Sequence, residues 1–211
     1  IAGEVDWKTV PVLPFEAACV PQSWYRFMQM PVVSYAIPAL VAIGQANYRN
    51  YPHRNPLSNL IRKLSVSRTL RVLLSMQPSS GGCLEAIPLT IFVVMGLSCS
   101  GHADHPVVEN GWRFIRASVR SDGSWPIDTN LATWNTSLSI SALSQTLAPD
   151  HTSTSKTRGA HDRRELLNEM YQPELLDWLL GCQNLDRHPF TGAKPGGWGW
   201  SDLSGAVPDA D

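Results

Sequence analysis

The sequence predicts an all-α fold assembled from repeated helix hairpins. Apolar residues recur at helical spacing in segment after segment, and few stretches alternate in the manner of a strand. Three times, moreover, a helical segment runs into a turn rich in glycine and aromatic or polar residues and is followed by another helix.

The elements follow in chain order. Residues 31–44, PVVSYAIPALVAIG, form the longest apolar stretch, shorter than the ~20 residues needed to cross a bilayer and interrupted by Pro38. Two readings stay open for it: a kinked buried helix, or a surface that dips into one leaflet beside Trp24, Tyr25, Tyr35 and Tyr48. Residues 63–76 form a helix carrying Leu70, Leu73, Leu74 and Met76, and residues 88–97 are apolar nearly all round, as in an inner layer. Over residues 106–119, Val108, Trp112, Ile115 and Val119 make one stripe, and Pro106 suits a first helical turn. Residues 136–147 place Ile140, Leu143 and Leu147 on one side. Residues 148–163 are polar and aperiodic and read as a surface insertion. Two short helices, residues 164–171 and 173–182, follow on either side of the break at Pro173.

The three turns are Met76-Gln77-Pro78-Ser79-Ser80-Gly81-Gly82-Cys83, then Arg120-Ser121-Asp122-Gly123-Ser124-Trp125, then Cys182-Gln183 reaching Gly196-Gly197-Trp198 after an insertion. A single helix pair cannot bury its apolar face, so repeated pairs stack into solenoids or close into toroids. Trp125, Trp198 and Gln183 are read as residues that tie one helix end to the next, and Trp112, Phe114 and Ile115 as helix packing.

Composition argues against nucleic acid as a partner. The 211 residues carry a formal charge of -1, so the chain as a whole offers no basic footprint for nucleic acid. Cys19, Cys83, Cys99 and Cys182 lie far apart without a CxxC pair and read as reduced, packed residues. Cys99, His102 and His105 have the residue types of a Zn²⁺ site, but the turn before Pro106 is reason enough for polar residues there. The chain opens on Ile1 without a leader-like segment, which fits a piece of a longer protein.

The chain ends Val207-Pro208-Asp209-Ala210-Asp211, an acidic Asp-x-Asp just after the aromatic, glycine-rich Pro195-Gly196-Gly197-Trp198-Gly199-Trp200. Asp209 and Asp211 suit the cap and first turn of a helix, and an Asp-x-Asp can also hold Mg²⁺. The aromatic context favours a proton-donating acid, and no second acidic cluster accompanies it for a diphosphate-bound metal.

Together these motifs resemble the squalene-hopene cyclase family, the class II triterpene cyclases with QW repeats. Asp122-Gly123-Ser124-Trp125 matches the Gly-x-Trp end of the repeat, with Arg120 where the family has Gln. Thr133-Trp134-Asn135-Thr136-Ser137-Leu138 resembles its Trp-Asp-Thr-Gly-Leu helix start. The ending resembles the approach to the Asp-x-Asp-Asp motif without its last Asp. The resemblance implies an (α/α) barrel that folds squalene and cyclises it by protonation, with no cofactor and no metal. Residues 1–147 would belong to the smaller barrel running into the catalytic one, and residues 164–211 to the first part of the catalytic barrel. Asp211 would be the general acid with Asp209 supporting it, and Trp134, Asn135 and Trp200 would face the substrate. Cations formed on the substrate are stabilised by aromatic faces, and clustered carboxylates keep one of their number protonated. Asn135 stands where the family has Asp and removes one charge, so the acid would hold its proton less strongly. The family also implies monotopic attachment to the cytoplasmic face of a membrane, with residues 31–44 and 48–56 as the contact, and allows a homodimer. A class II diterpene cyclase and a non-catalytic toroid binding lipid or protein are the alternatives.

Overall fold

Proline starts most of the helices. Pro38, Pro56, Pro88, Pro106 and Pro173 each sit in a first turn, where the missing amide hydrogen costs nothing and the fixed φ suits the helix. The computed structural model describes residues 6–28, 36–52, 55–147, 172–188 and 192–203. Its α-helices are α1 (Gln22–Phe27), α2 (Ile37–Asn50), α3 (Pro56–Met76), α4 (Ile87–Cys99), α5 (Pro106–Ala117), α6 (Ala132–Leu147) and α7 (Pro173–Gly181). Short 3-10 turns cover Trp7–Thr9, Phe15–Cys19 and Cys83–Glu85. Among the described residues there is no strand, and one isolated bridge joins Ala86 to Asp128. The expected all-α class therefore holds. The expected insertion at 148–163 and helix at 164–171 lie outside the described residues.

The described residues divide between two compact units, one drawn mainly from Ile1–Thr129 and the other from Asn130–His188 and Ala193–Asp202. In the first unit α4 lies between α2 and α5. Glycine sets both contacts. A Cβ on Gly96 would stand 2.8 Å from the Ala42 carbonyl of α2, and a Cβ on Gly111 of α5 would stand 2.7 Å from a Val94 methyl. The core that results holds Val41, Val93, Leu97, Val107, Val108 and Phe15, all nearly or fully buried. The 3-10 turn Phe15–Cys19 packs against α2 and α3. Arg62, buried on α3, lies 5.6 Å over the Phe15 ring, 3.4 Å from the Glu16 carboxylate, and donates to the Leu13 carbonyl.

Several expectations need correction. Pro38 begins α2 and does not kink it, and the described part of 31–44 faces the core, with Val41, Ala42 and Gly44 buried. Residues 48–56 are not one loop: Tyr48 lies in the last turn of α2, its hydroxyl donating to the Asn59 carbonyl, and Pro56 opens α3. The α3 helix starts seven residues before 63 because Asn55 caps it, accepting from the Leu57 and Ser58 amides. Its buried face is Arg62, Ser65, Thr69, Leu70 and Leu73, three of the five polar, while Leu74 is exposed. Those polar groups are paired: Gln45 of α2 donates to the Thr69 hydroxyl at 2.8 Å, which donates in turn to the Ser65 carbonyl. On α5 the buried stripe runs Val107, Val108, Gly111, Phe114 and Ile115, whereas Trp112 and Val119 are exposed. The helix turns its glycine edge toward α4, which rotates Trp112 outward under the Arg116 guanidinium, 5.9 Å from its ring. On α4, Phe92 and Met95 are exposed, so its apolar surface is not wholly inner. The α6 helix begins at Ala132 rather than 136, and Leu143 of its expected stripe is half exposed.

The turn after α3 holds an unusual conformation. Leu84 and Glu85 are both left-handed, with φ of 54° and 56°. Such residues cost roughly 1–3 kcal/mol each unless their surroundings hold them. Here the buried Glu85 carboxylate accepts from the Ser80 and Thr129 hydroxyls, its carbonyl accepts from the Thr129 amide, and Ile87 donates to Ile127.

Two outcomes test this architecture. Gly96→Ala forces a methyl into the Ala42 backbone, and thermal melting should show a loss of about 1–3 kcal/mol. His105 caps α5 by accepting from the Val107 amide through Nδ1, which requires a neutral ring. Burial, then the neighbouring His102, hold the His105 pKa below its ordinary value, and burial and Arg49 do the same for His102. A depressed folded-state pKa means that the stabilisation is complete above about pH 6.5 and is lost as pH falls below it. The melting temperature should drop through that window, and less steeply in His105→Asn, which can accept the same bond without titrating.

Candidate functional site

The second unit is organised by the glycine-rich tryptophan segment at residues 195–200. Gly196, at φ of 108°, makes the turn that brings this segment back along the end of α7: its amide donates to the Asn184 carbonyl, and Asn184 donates to Gly197. The Trp198 indole then donates to the Leu179 carbonyl of α7 at 2.7 Å, and the Gln183 amide donates to the Gly196 carbonyl at 2.8 Å. On the other side the segment meets the start of α6. The buried Thr133 hydroxyl donates to the Gly199 carbonyl, the Trp134 amide donates to the Trp200 carbonyl at 3.2 Å, and Asn130 joins Asp202 at 2.8 Å while capping Ala132.

Between these elements opens a cleft of about 430 Å³, walled by Trp134, Leu138, Leu179, Trp198 and Trp200, with Thr133 and Ser137 supplying its hydroxyls. The wall is overwhelmingly apolar. Three indoles around a cleft of this kind suit an apolar ligand or a delocalised cation, because their faces carry negative charge density without a nucleophile. Outside the cleft wall, burial, followed by Asp202, pushes the Cys182 thiol up.

Trp134 and Trp200, the two aromatic residues expected to face a substrate, thus share one cleft. Asn135 does not line it; its amide closes the first turn of α6 on Leu131 and its side chain is exposed. Asp209 and Asp211 lie outside the described residues. Leu138, Leu179 and Ser137 were missed by the sequence reading. Leu138 was legible as the residue one helical turn beyond Trp134, whereas Leu179 enters only through the fold. Trp198, read as a stacking residue, does both jobs: its N–H ties α7 and its face lines the cleft.

The three glycine-aromatic turns share their bonding two at a time. Trp125 donates to the Ile115 carbonyl at 2.9 Å, as Trp198 does to Leu179, each satisfying a carbonyl in the last turn of the preceding helix. Gln77 donates to Gly81 as Gln183 does to Gly196, in both cases two residues before the aromatic position. Cys83 replaces the aromatic in the first turn, and the Phe114 ring covers the spot: a Cβ on Gly82 would fall 2.4 Å from its Cζ. Burial, then Glu85, pushes the Cys83 thiol up to about 12, so it is an inert packing group. In the second turn Arg120 stands in the glutamine position, and the backbone closes instead, Arg120 donating to Ser124 and Gly123 to Arg120. The side-chain and backbone donors of Ser124 hold the Asp122 carboxyl below its ordinary range.

Among the described residues no cluster of three or more His, Cys, Asp or Glu converges on a point. His105 spends its Nδ1 on the helix cap and Cys99 is exposed. No protein-family model matches this chain, and no curated protein matches it.

If the turns are equivalent, Trp125→Phe and Trp198→Phe should each cost about 1 kcal/mol, the net worth of one intramolecular hydrogen bond. Chemical denaturation measures both, and only Trp198→Phe should also alter binding of an apolar ligand in the cleft.

Proposed function

We propose that this sequence belongs to a squalene-hopene-cyclase-like enzyme whose helix hairpins close into an α/α toroid. The observation that carries the proposal is the apolar cleft on which Trp134, Trp198 and Trp200 converge, together with the order of motifs along the chain. In this reading Asp211, protonated and supported by Asp209, gives its proton to a terminal alkene of squalene. The alkene π pair forms the new C–H bond and leaves a tertiary cation on the adjacent carbon. Successive alkenes then attack, each forming one C–C bond and moving the cation along the chain, until a proton is lost or water adds. The indoles of Trp134 and Trp200 stabilise the moving charge, and the cleft wall offers little to trap it. The reaction needs no cofactor.

A second reading rests on Asn135. With an amide in place of the acid, a protein of the same build would bind an isoprenoid lipid without cyclising it.

Substrate of this kind resides in a membrane, and the proposal includes docking to its surface. Since α2 faces the core, the contact passes to α3, where Leu57, Leu60, Ile61 and Leu64 are all exposed. No helix among the described residues is long and apolar enough to cross a bilayer.

The full-length protein should convert squalene in detergent to polycyclic products, detected by gas chromatography and mass spectrometry, with chelator present. Asp211→Asn should abolish conversion, and Trp134→Ala should lower it by roughly 30-fold, as expected when one cation–π partner worth ~2 kcal/mol is removed. Binding of squalene with its unchanged release would favour the second reading. Conversion that requires Mg²⁺ and survives Asp211→Asn would overturn the protonation mechanism.

A further inference from the structure

The docking surface on α3 carries a charge pattern of its own. Residues 17–84 contain no aspartate or glutamate and seven lysines and arginines, although the whole chain carries only -1. Of these cations, Arg62 is buried against Glu16. Lys63, Arg68 and Arg71 are exposed, and none of them forms an ion pair among the described residues. Position on the helix then matters. Leu57, Leu60, Leu64, Arg68 and Arg71 follow one another at three or four residues, which puts them on one stripe about 21 Å long. The stripe is apolar over its first two turns, with Leu57 65% and Leu64 72% exposed, and cationic over the next two. Elsewhere in the same acid-free stretch, Trp24, Phe27 and Met28 of the α1 region are also exposed.

We infer that this stripe docks on an anionic lipid surface, with Leu57, Leu60, Ile61 and Leu64 dipping below the headgroups and Arg68 and Arg71 held at the level of the lipid phosphates. The inference rests on the membrane-docking part of the proposed function and adds the headgroup charge. Apolar insertion alone would leave the arginines without partners; an anionic surface supplies them, and the absence of any nearby acid in the sequence means that nothing on this stretch repels it. A nucleic acid would meet the arginines but leave the leucines in water.

Flotation of the full chain with phosphatidylcholine vesicles, with and without phosphatidylglycerol, tests this. Binding should be stronger with phosphatidylglycerol and should weaken with added salt. The double variant Arg68→Gln/Arg71→Gln should lose roughly 30-fold on anionic vesicles, the loss expected for two surface cations, and bind neutral vesicles as the parent does. Leu60→Gln/Leu64→Gln should weaken binding to both. Circular dichroism checks that both variants, altered only at exposed positions, keep their helices. Equal binding of the parent to the two vesicle types overturns the headgroup inference and leaves membrane docking standing. Failure to bind either overturns both, and equally tight binding to a short DNA duplex at the same salt shows a general polyanion site instead.

Discussion

Everything in the first unit depends on how closely α4 is approached. A helix that is apolar around most of its circumference needs neighbours on more than one side, and they come close only where no Cβ intervenes. Gly96 admits the Ala42 backbone of α2 and Gly111 admits Val94. These two missing side chains fix the depth to which α2 and α5 settle, and with it which residues of each become core. The burial of Val41, Ala42, Val107 and Val108 follows from that depth. So does the outward turn of Trp112.

The helix ends are governed by a different economy. A helix leaves its last carbonyls without intrahelical partners, and at the ends of α5 and α7 an indole from the following turn adds a donor to those of the backbone cap. Trp125 and Trp198 do so with an indole, and Gln77 and Gln183 fasten the turn itself. Where the aromatic is absent, at Cys83, a ring from α5 takes over its volume but not its hydrogen bond. The same segment that closes the third turn also supplies two of the three indoles of the cleft wall, Trp198 and Trp200, while α6 supplies the third, Trp134.

How much of this was legible in the sequence depends on which force was at work. Helix existence was legible because periodic apolar residues and first-turn prolines act locally. Starts were misplaced at α3 and α6, where Asn55 and Asn130 cap first turns whose apolar residues, Leu57 and Leu60 in one and Trp134 in the other, stay exposed and so do not mark a buried stripe. The faces were misjudged where glycine or a polar residue does the packing, as at Gly111 and at Arg62, Ser65 and Thr69. For the site, Trp134 and Trp200 were legible as aromatics within motifs, but their shared cleft depends on Leu179, which nothing local marks. Asn135 stood out as a departure from the family pattern, and that it is absent from the cleft wall although it follows Trp134 could be read only from the fold.

The left-handed pair at Leu84 and Glu85 has a consequence in time rather than in space. Part of the grip on the Glu85 side chain comes from Ser80, five residues before it, and part from Thr129, which lies forty-four residues further along. Until residue 129 has been made, Glu85 can have the Ser80 hydroxyl but neither the hydroxyl nor the amide of Thr129. A chain halted before that point would hold the corner by its local half alone.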